Sequence, residues 1–225
     1  VISKVAPTPQ ITDTVYETLR EAICDGVLAP DTRLIQDELA ERLGTSRQPV
    51  HLAMQQLKKE GFLVEAGRRG LVVAPLDRGF AAELYEMRAA LDAAAAIAAA
   101  RHASPADRAR GERIICEGRA AVAEGDLAAM ASADFAFHDF IYTLGGNRLI
   151  AQTARMNWHH VRRSIMLLAG EPTKLGPFWD EHDQILQAVA SRDPDAAAQL
   201  AQHHAIASAR ILARGLEAQD EKARA

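Results

Sequence analysis

Between Ile11 and Gly26 the apolar residues Val15, Leu19 and Ile23 recur at every fourth position, the spacing of one face of an amphipathic helix that Gly26 ends. After the turn LAPDTRL, Ile35, Leu39 and Leu43 repeat the spacing through a second, short helix that stops at Gly44, a residue type suited to the position just past a helix C-terminus. Thr45 or Ser46 then caps a third helix, in which Val50, Ala53, Met54 and Leu57 follow the i, i+3, i+4, i+7 pattern of a buried stripe. Pro49 marks the start of that helix, because N–H groups in the first turn have no intrahelical partner to lose. Beyond Gly61 the period changes: FLVEAGRRGLVVAP holds two short β-prone runs around Ala66 to Gly70 and predicts a hairpin.

Pro75 to Gly79 reads as a linker, and the pattern after it is helical throughout. Phe80, Leu84, Met87 and Leu91 share one face, and further helices are predicted over about 105–123, 127–144, 148–168, 177–191 and 194–216. The breaks SPAD, EGD, GGN, GEPTKLGP and SRDPD are rich in turn formers. The expected fold is therefore mainly α: three helices plus a β-hairpin in residues 1–76, then an all-α antiparallel helical bundle in 77–225.

Composition narrows the class. Hydrophobic residues at 48% and charged residues at 25% are those of a globular chain, and no apolar run approaches the ~20 residues a membrane helix needs. Leu91 to Ala100 (LDAAAAIAAA) is bland but short and flanked by Arg88, Asp92 and Arg101, so it reads as a tightly packed helix. Two cysteines far apart, Cys24 and Cys116, argue against a disulfide framework and for a reducing cytoplasm. The net charge of −4 speaks weakly against nucleic acid, but from Arg42 to Gly70 six basic residues face two acidic ones. Phosphate attraction follows such a local patch more than the total.

In the third helix the apolar stripe is used against the first two helices, which leaves Arg47, Gln48, His51, Gln55 and Lys58 on other faces. Two compact helices joined by a tight turn, the second offering donors from its N-terminal end, match the geometry that enters a DNA major groove. Arg can bond guanine bidentately and Gln adenine, while Lys58, Lys59, Arg68 and Arg69 suit phosphates and Gly70 lies at the tip of the wing. An ordinary solvated helix face carries the same residue types. The run Leu39 to Leu76 resembles the winged helix-turn-helix of GntR-family bacterial transcription regulators. There the segment reads close to SRTPVREAL, so Arg47, Pro49, Val50 and Ala53 match, whereas Gln48, His51 and Leu52 stand in place of Thr, Arg and Glu. The resemblance implies contacts to double-stranded operator DNA by Arg47 and by the residues at 48 and 51.

A second group lies in the helical region. Asp134 and His138, four apart, sit about 40° apart on one helix face and can reach one ion. His182 and His204 each lie eleven residues from Asp193 in the turn SRDPD, so an antiparallel pair brings them to one height, while His203 points about 100° away. Three imidazoles and one carboxylate suit zinc, nickel, copper, iron or manganese, leaving a coordination position open in any geometry larger than tetrahedral; an exposed Asp with a hydrogen-bonded His is the plainer reading of the first pair. Arg88 falls on the inner side of its helix, where it either pairs with a core carboxylate or clamps a carboxylate ligand. His159, His160, Arg162 and Arg163 read as a helix face or rim, and Trp158 and Trp179 as core or pocket wall.

Phe80 to about Leu216 also resembles the FadR C-terminal (FCD) ligand-binding domain. Its D-x-x-x-H, E-H and final H elements stand at Asp134/His138, Glu181/His182 and His204. The resemblance implies a divalent metal at Asp134, His138, His182 and His204, zinc or nickel foremost, and a small carboxylate effector with Arg88 as a contact. The expected protein is a cytoplasmic homodimeric regulator, a repressor relieved by its effector, with no membrane partner and no catalytic residues. The alternatives are a metal-dependent hydrolase using the Asp/His cluster and a regulator whose metal is purely structural.

Overall fold

The structure is a computed structural model and describes residues 10–167 and 176–224. The chain divides into two compact units, 1–76 and 77–225. In the first, α1 (Gln10–Cys24), α2 (Gln36–Arg42) and α3 (Arg47–Lys59) precede an antiparallel hairpin of β1 (Leu63–Glu65) and β2 (Leu71–Val73). Its register pairs Leu63 with Val73 and Glu65 with Leu71, and a 3-10 turn over Gly67–Arg69 closes it.

The core of this unit is the set of stripes expected from the periodicity. Val15, Leu19 and Ile23 of α1 and Leu39 of α2 meet Val50, Ala53, Met54 and Leu57 of α3 and Phe62, Leu63 and Val73 of the hairpin. Ile35 and Leu43 are only half buried, because α2 begins one residue after Ile35 and ends one before Leu43. The α2–α3 turn is set by Gly44 in the left-handed region (φ 61°), with its N–H bonded to the Glu41 carbonyl at 3.1 Å and that of Thr45 to Ala40 at 3.0 Å. Ser46 occupies the N-cap of α3 but makes no side-chain capping bond. Instead Gln36 Nε2 donates to the Arg47 carbonyl at 2.7 Å, tying the start of α2 to the start of α3.

The second unit holds α4 (Arg78–His102), α5 (Pro105–Glu124), α6 (Leu127–Gly145), α7 (Arg148–Leu167), α8 (Gly176–Ala190) and α9 (Pro194–Arg224). α4 starts inside the expected linker, because the Asp77 carboxylate accepts from the Phe80 N–H at 2.9 Å and caps it. It packs against α6, α7, α8 and α9. Its buried face is Ala81, Leu84, Tyr85, Arg88, Ala89, Asp92, Ala95, Ala96, Ala99 and Ala100; Phe80, Met87 and Leu91, expected with Leu84 on the inner face, are half buried at its edge. Alanines let neighbouring backbones approach, and a Cβ on Gly145 of α6 would stand 2.8 Å from the Ala95 carbonyl oxygen.

SPAD forms a capping box, the Ser104 and Asp107 side chains each bonding the other's N–H, with Pro105 at the first helical position. The break GEPTKLGP falls largely on residues 168–175, outside the described residues. In SRDPD, Arg192 adopts φ 57°, and the N–H groups of Arg192 and Asp193 return to Val189 and Ala188 at 3.1 and 3.0 Å. The Arg192 guanidinium donates to the Ala103 carbonyl at 3.1 Å, which fastens this turn to the end of α4. No helix among the described residues is long and apolar enough to cross a membrane.

Candidate functional site

α6 carries Asp134 and His138, α8 carries His182, and α9 carries His204; one ligand atom from each lies within 4.8 Å of all the others. The two histidines placed at one height by the SRDPD turn face each other, with His182 Nε2 at 3.2 Å from His204 Nε2. His182 Nε2 is also 3.3 Å from His138 Nε2 and 3.4 Å from Asp134 Oδ1, and His138 Nε2 is 3.9 Å from that oxygen. All three imidazoles are buried, while His203 is exposed. Glu181 accepts from His204 Nδ1 at 2.7 Å, which fixes the tautomer and leaves Nε2 as the lone-pair nitrogen.

Burial first, then the Arg88 cation and the neighbouring imidazoles, hold His138 well below the usual histidine range; burial, His204 and Arg88 do the same for His182. Both rings are therefore neutral, the state that binds a metal. Burial raises the Asp134 and Asp92 carboxyls against the pull of Arg88.

The donor set fits a divalent ion. At metal–nitrogen distances of about 2.0 Å, tetrahedral ligands lie about 3.3 Å apart, close to the 3.2–3.4 Å separations around His182. The Arg88 guanidinium pairs with Asp92 and Asp134, and Glu181 adds a third carboxylate on the Nδ1 side of His204.

Arg88 is buried beside the cluster. One terminal nitrogen lies 2.5 Å from His138 Nε2, and its Nε is 3.3 Å from Asp92 Oδ2. The guanidinium lies against the faces of Tyr85 and Trp158 at 5.6 and 5.5 Å. Burial opposes its charge, but Asp92 and Asp134 outweigh that and raise its pKa. Asp92 also accepts from the Tyr142 hydroxyl. A cavity of about 40 Å³, with Arg88, Asp134, Phe178, His204 and Ser208 in its wall, opens next to the cluster. It has room for a few waters or a small carboxylate.

The sequence marks Asp92 only as a charge flanking the alanine run and gives no sign of Tyr142, although R-x-x-x-D on an alanine helix is a readable signal. His160 and Arg163 are buried and not on a rim, because they flank Val161 and Ser164 on the inner side of α7. Trp158 and Trp179 are both buried.

In the first unit, Arg47, Gln48, His51 and Gln55 are exposed along α3 and Lys58 is half-buried at its end. Arg68, Arg69 and Gly70 are exposed at the hairpin tip, where Gly70 takes φ 74° and ψ −138°. Three of the cations are already paired: Arg47 with Asp37 at 2.9 Å, Lys58 with Glu65 at 2.5 Å and Arg69 with Asp31 at 3.6 Å. The local excess of positive charge counted from Arg42 to Gly70 is thus reduced by Asp31 and Asp37, which the fold brings in from outside that window.

Comparison with known proteins bears on both units. Residues 83–207 match the FCD domain, and residues 11–73 match the bacterial regulatory proteins of the gntR family. An uncharacterized HTH-type transcriptional regulator of Agrobacterium vitis is 32% identical over 131 residues, 55% of this chain and 74% of that protein. The HTH-type transcriptional repressor RspR of Escherichia coli is 25% identical over 87% of this chain and 86% of its own. The solved structure of E. coli McbR/YncC superposes with a TM-score of 0.76 at 22% identity, over 90% of this chain and 97% of that one, a likeness of fold. These relatives are regulators and lend the hydrolase alternative no support. The chain belongs to the gntR family of bacterial regulatory proteins, in the branch that carries an FCD domain, and is a DNA-binding transcription regulator, not an enzyme.

Proposed function

We propose that the protein is a homodimeric repressor whose hold on its operator is controlled by a small organic acid at a metal-containing site. α3 enters the major groove with Arg47, Gln48 and His51 toward base edges, while Lys58, Arg68, Arg69 and the wing glycine Gly70 follow the backbone. Asp134, His138, His182 and His204 hold a divalent ion, zinc or nickel, and Arg88 supplies a second contact for a carboxylate. Bound there in a geometry larger than tetrahedral, the ion would offer a Lewis-acidic position to a carboxylate oxygen. The observation that carries this reading is the convergence of three imidazole Nε2 atoms and the Asp134 carboxylate beside a buried arginine and a small cavity. An operator as ligand puts its work in the cytoplasm.

Two further observations support the finer points. RspR, similar along most of its length, is named as a repressor. A groove of about 610 Å³ between α4 and α9, walled by Ala82, Ala90, Ile206, Ala209 and Ala213, suits the close approach of a second copy. The test is a gel shift on a duplex selected by the full-length protein from a random-sequence library, with small mono- and dicarboxylates added to metal-loaded and chelated protein. A tenfold loss of DNA affinity requires an acid that binds the non-operator conformation about 1.4 kcal/mol more tightly. The loss should vanish on chelation and in Arg88→Met. A carboxylate response that persists through both treatments would show that the acid acts elsewhere.

A further inference from the structure

We infer that Asp37 is a specificity-determining residue: it holds Arg47 in a base-reading pose and disfavours binding through phosphates alone. This rests on the reading that α3 faces base edges. Arg47 is the first residue of α3, and two consecutive residues of α2 grip it, Gln36 through the backbone carbonyl at 2.7 Å and Asp37 through the guanidinium Nε at 2.9 Å. The two side chains of the ion pair are 72% and 59% exposed, so the pair adds little to the stability of the fold. What it does add is direction. Asp37 engages only Nε, and among the described residues both terminal nitrogens of Arg47 are without a protein partner.

A guanidinium held in this way can offer its two terminal nitrogens to the O6 and N7 of a guanine while the ion pair stays intact. A phosphate approaching the same guanidinium meets the Asp37 carboxylate as well. Asp37 therefore helps the sequence-reading mode and opposes the mode that only tracks the backbone. The other two pairs differ, because Lys58 and Arg69 are suited to phosphates, so Glu65 and Asp31 oppose every DNA sequence alike. Residues 1–76 contain nine Lys or Arg against ten Asp or Glu, so net charge does not drive this unit onto DNA and individual pairs decide the outcome.

The experiment measures the affinity of the full-length protein for the library-selected duplex and for a scrambled duplex of equal length. In Asp37→Asn the selected duplex should bind about tenfold more weakly and the scrambled one a few-fold more tightly, so that their ratio falls at least about tenfold. Asp37→Glu should restore most of the ratio, and Glu65→Gln should tighten both duplexes equally. In an Arg47→Lys background, which cannot be held through Nε, Asp37→Asn should leave the ratio unmoved, a coupling that a general loss of folding does not produce. If Arg47→Ala lowers the ratio while Asp37→Asn does not, the role of Asp37 is refuted. If Arg47→Ala leaves the ratio unchanged, the placement of α3 is wrong and the inference falls with it.

Discussion

Replacing Asp134 by asparagine keeps the shape of a partly buried side chain while removing one charge and one ligand oxygen. Its effect should change with the metal content of the sample. Without metal, Arg88 pairs with both Asp92 and Asp134, and it is 4.0 Å from Asp134 but 3.3 Å from Asp92. Loss of the more distant carboxylate relieves repulsion as well as attraction, so chelated Asp134→Asn should melt within a few degrees of the wild type. With metal at about a hundred times its dissociation constant, the wild type gains about 2.7 kcal/mol. For a chain of this size that is a rise of about 5–11 °C in the melting temperature. Loss of a ligand that weakens the site a hundredfold or more leaves about 0.4 kcal/mol, a rise of about 1 °C. The assay is a thermal melt followed by circular dichroism on protein stripped with chelator and reloaded with zinc or nickel, read at the transition of the helical unit because two units need not unfold together. A wild-type melt that neither metal moves, or an Asp134→Asn protein that keeps the full rise, would refute the assignment of these four residues.

Two other substitutions probe the frame around the cluster. A Cβ on Gly118 would stand 2.0 Å from Trp179 Cζ2, and the Trp179 ring lies 4.8 Å from that of His182, so Gly118→Ala should cost about 1–3 kcal/mol in melting experiments and alter the tryptophan fluorescence change on metal addition. Tyr142→Phe removes the hydroxyl that donates to buried Asp92 and should destabilise the helical unit by about 1–3 kcal/mol in urea titration, with no change in the affinity of the stripped protein for scrambled DNA.

The sequence was most legible where period and punctuation coincide. Gly44 and Gly61 both follow a helix and take positive φ, and the stripe Val50, Ala53, Met54, Leu57 is fully enclosed. The opposition of His182 and His204 followed from equal distances to a tight turn. Elsewhere the local signal was too weak or in the wrong place. In α4 the stretch from Ala89 to Ala100 is nearly all alanine, so the larger residues Phe80, Met87 and Leu91 drew the expected face toward themselves, while the true face centres on the paired charges Arg88 and Asp92. The ion pairs of Arg47 and Arg69 join residues ten and thirty-eight apart, beyond any window count of charge. From the sequence His160 and Arg163 read as a helix face or rim because polar residues usually lie at the surface, a rule that tertiary packing overrides.

The α8–α9 turn has a consequence for how this protein can change over generations. Surface turns ordinarily absorb insertions and deletions without harm. This one is closed by its own backbone bonds and by Arg192 on the Ala103 carbonyl, so it contains no slack. A residue added to or removed from either helix between His182 and His204 would rotate one imidazole by about 100° relative to the other. Lineages that keep the cluster should therefore vary freely in the composition of this hairpin but not in its length, and a scan of single-residue deletions across 183–203 should abolish metal uptake without touching any ligand.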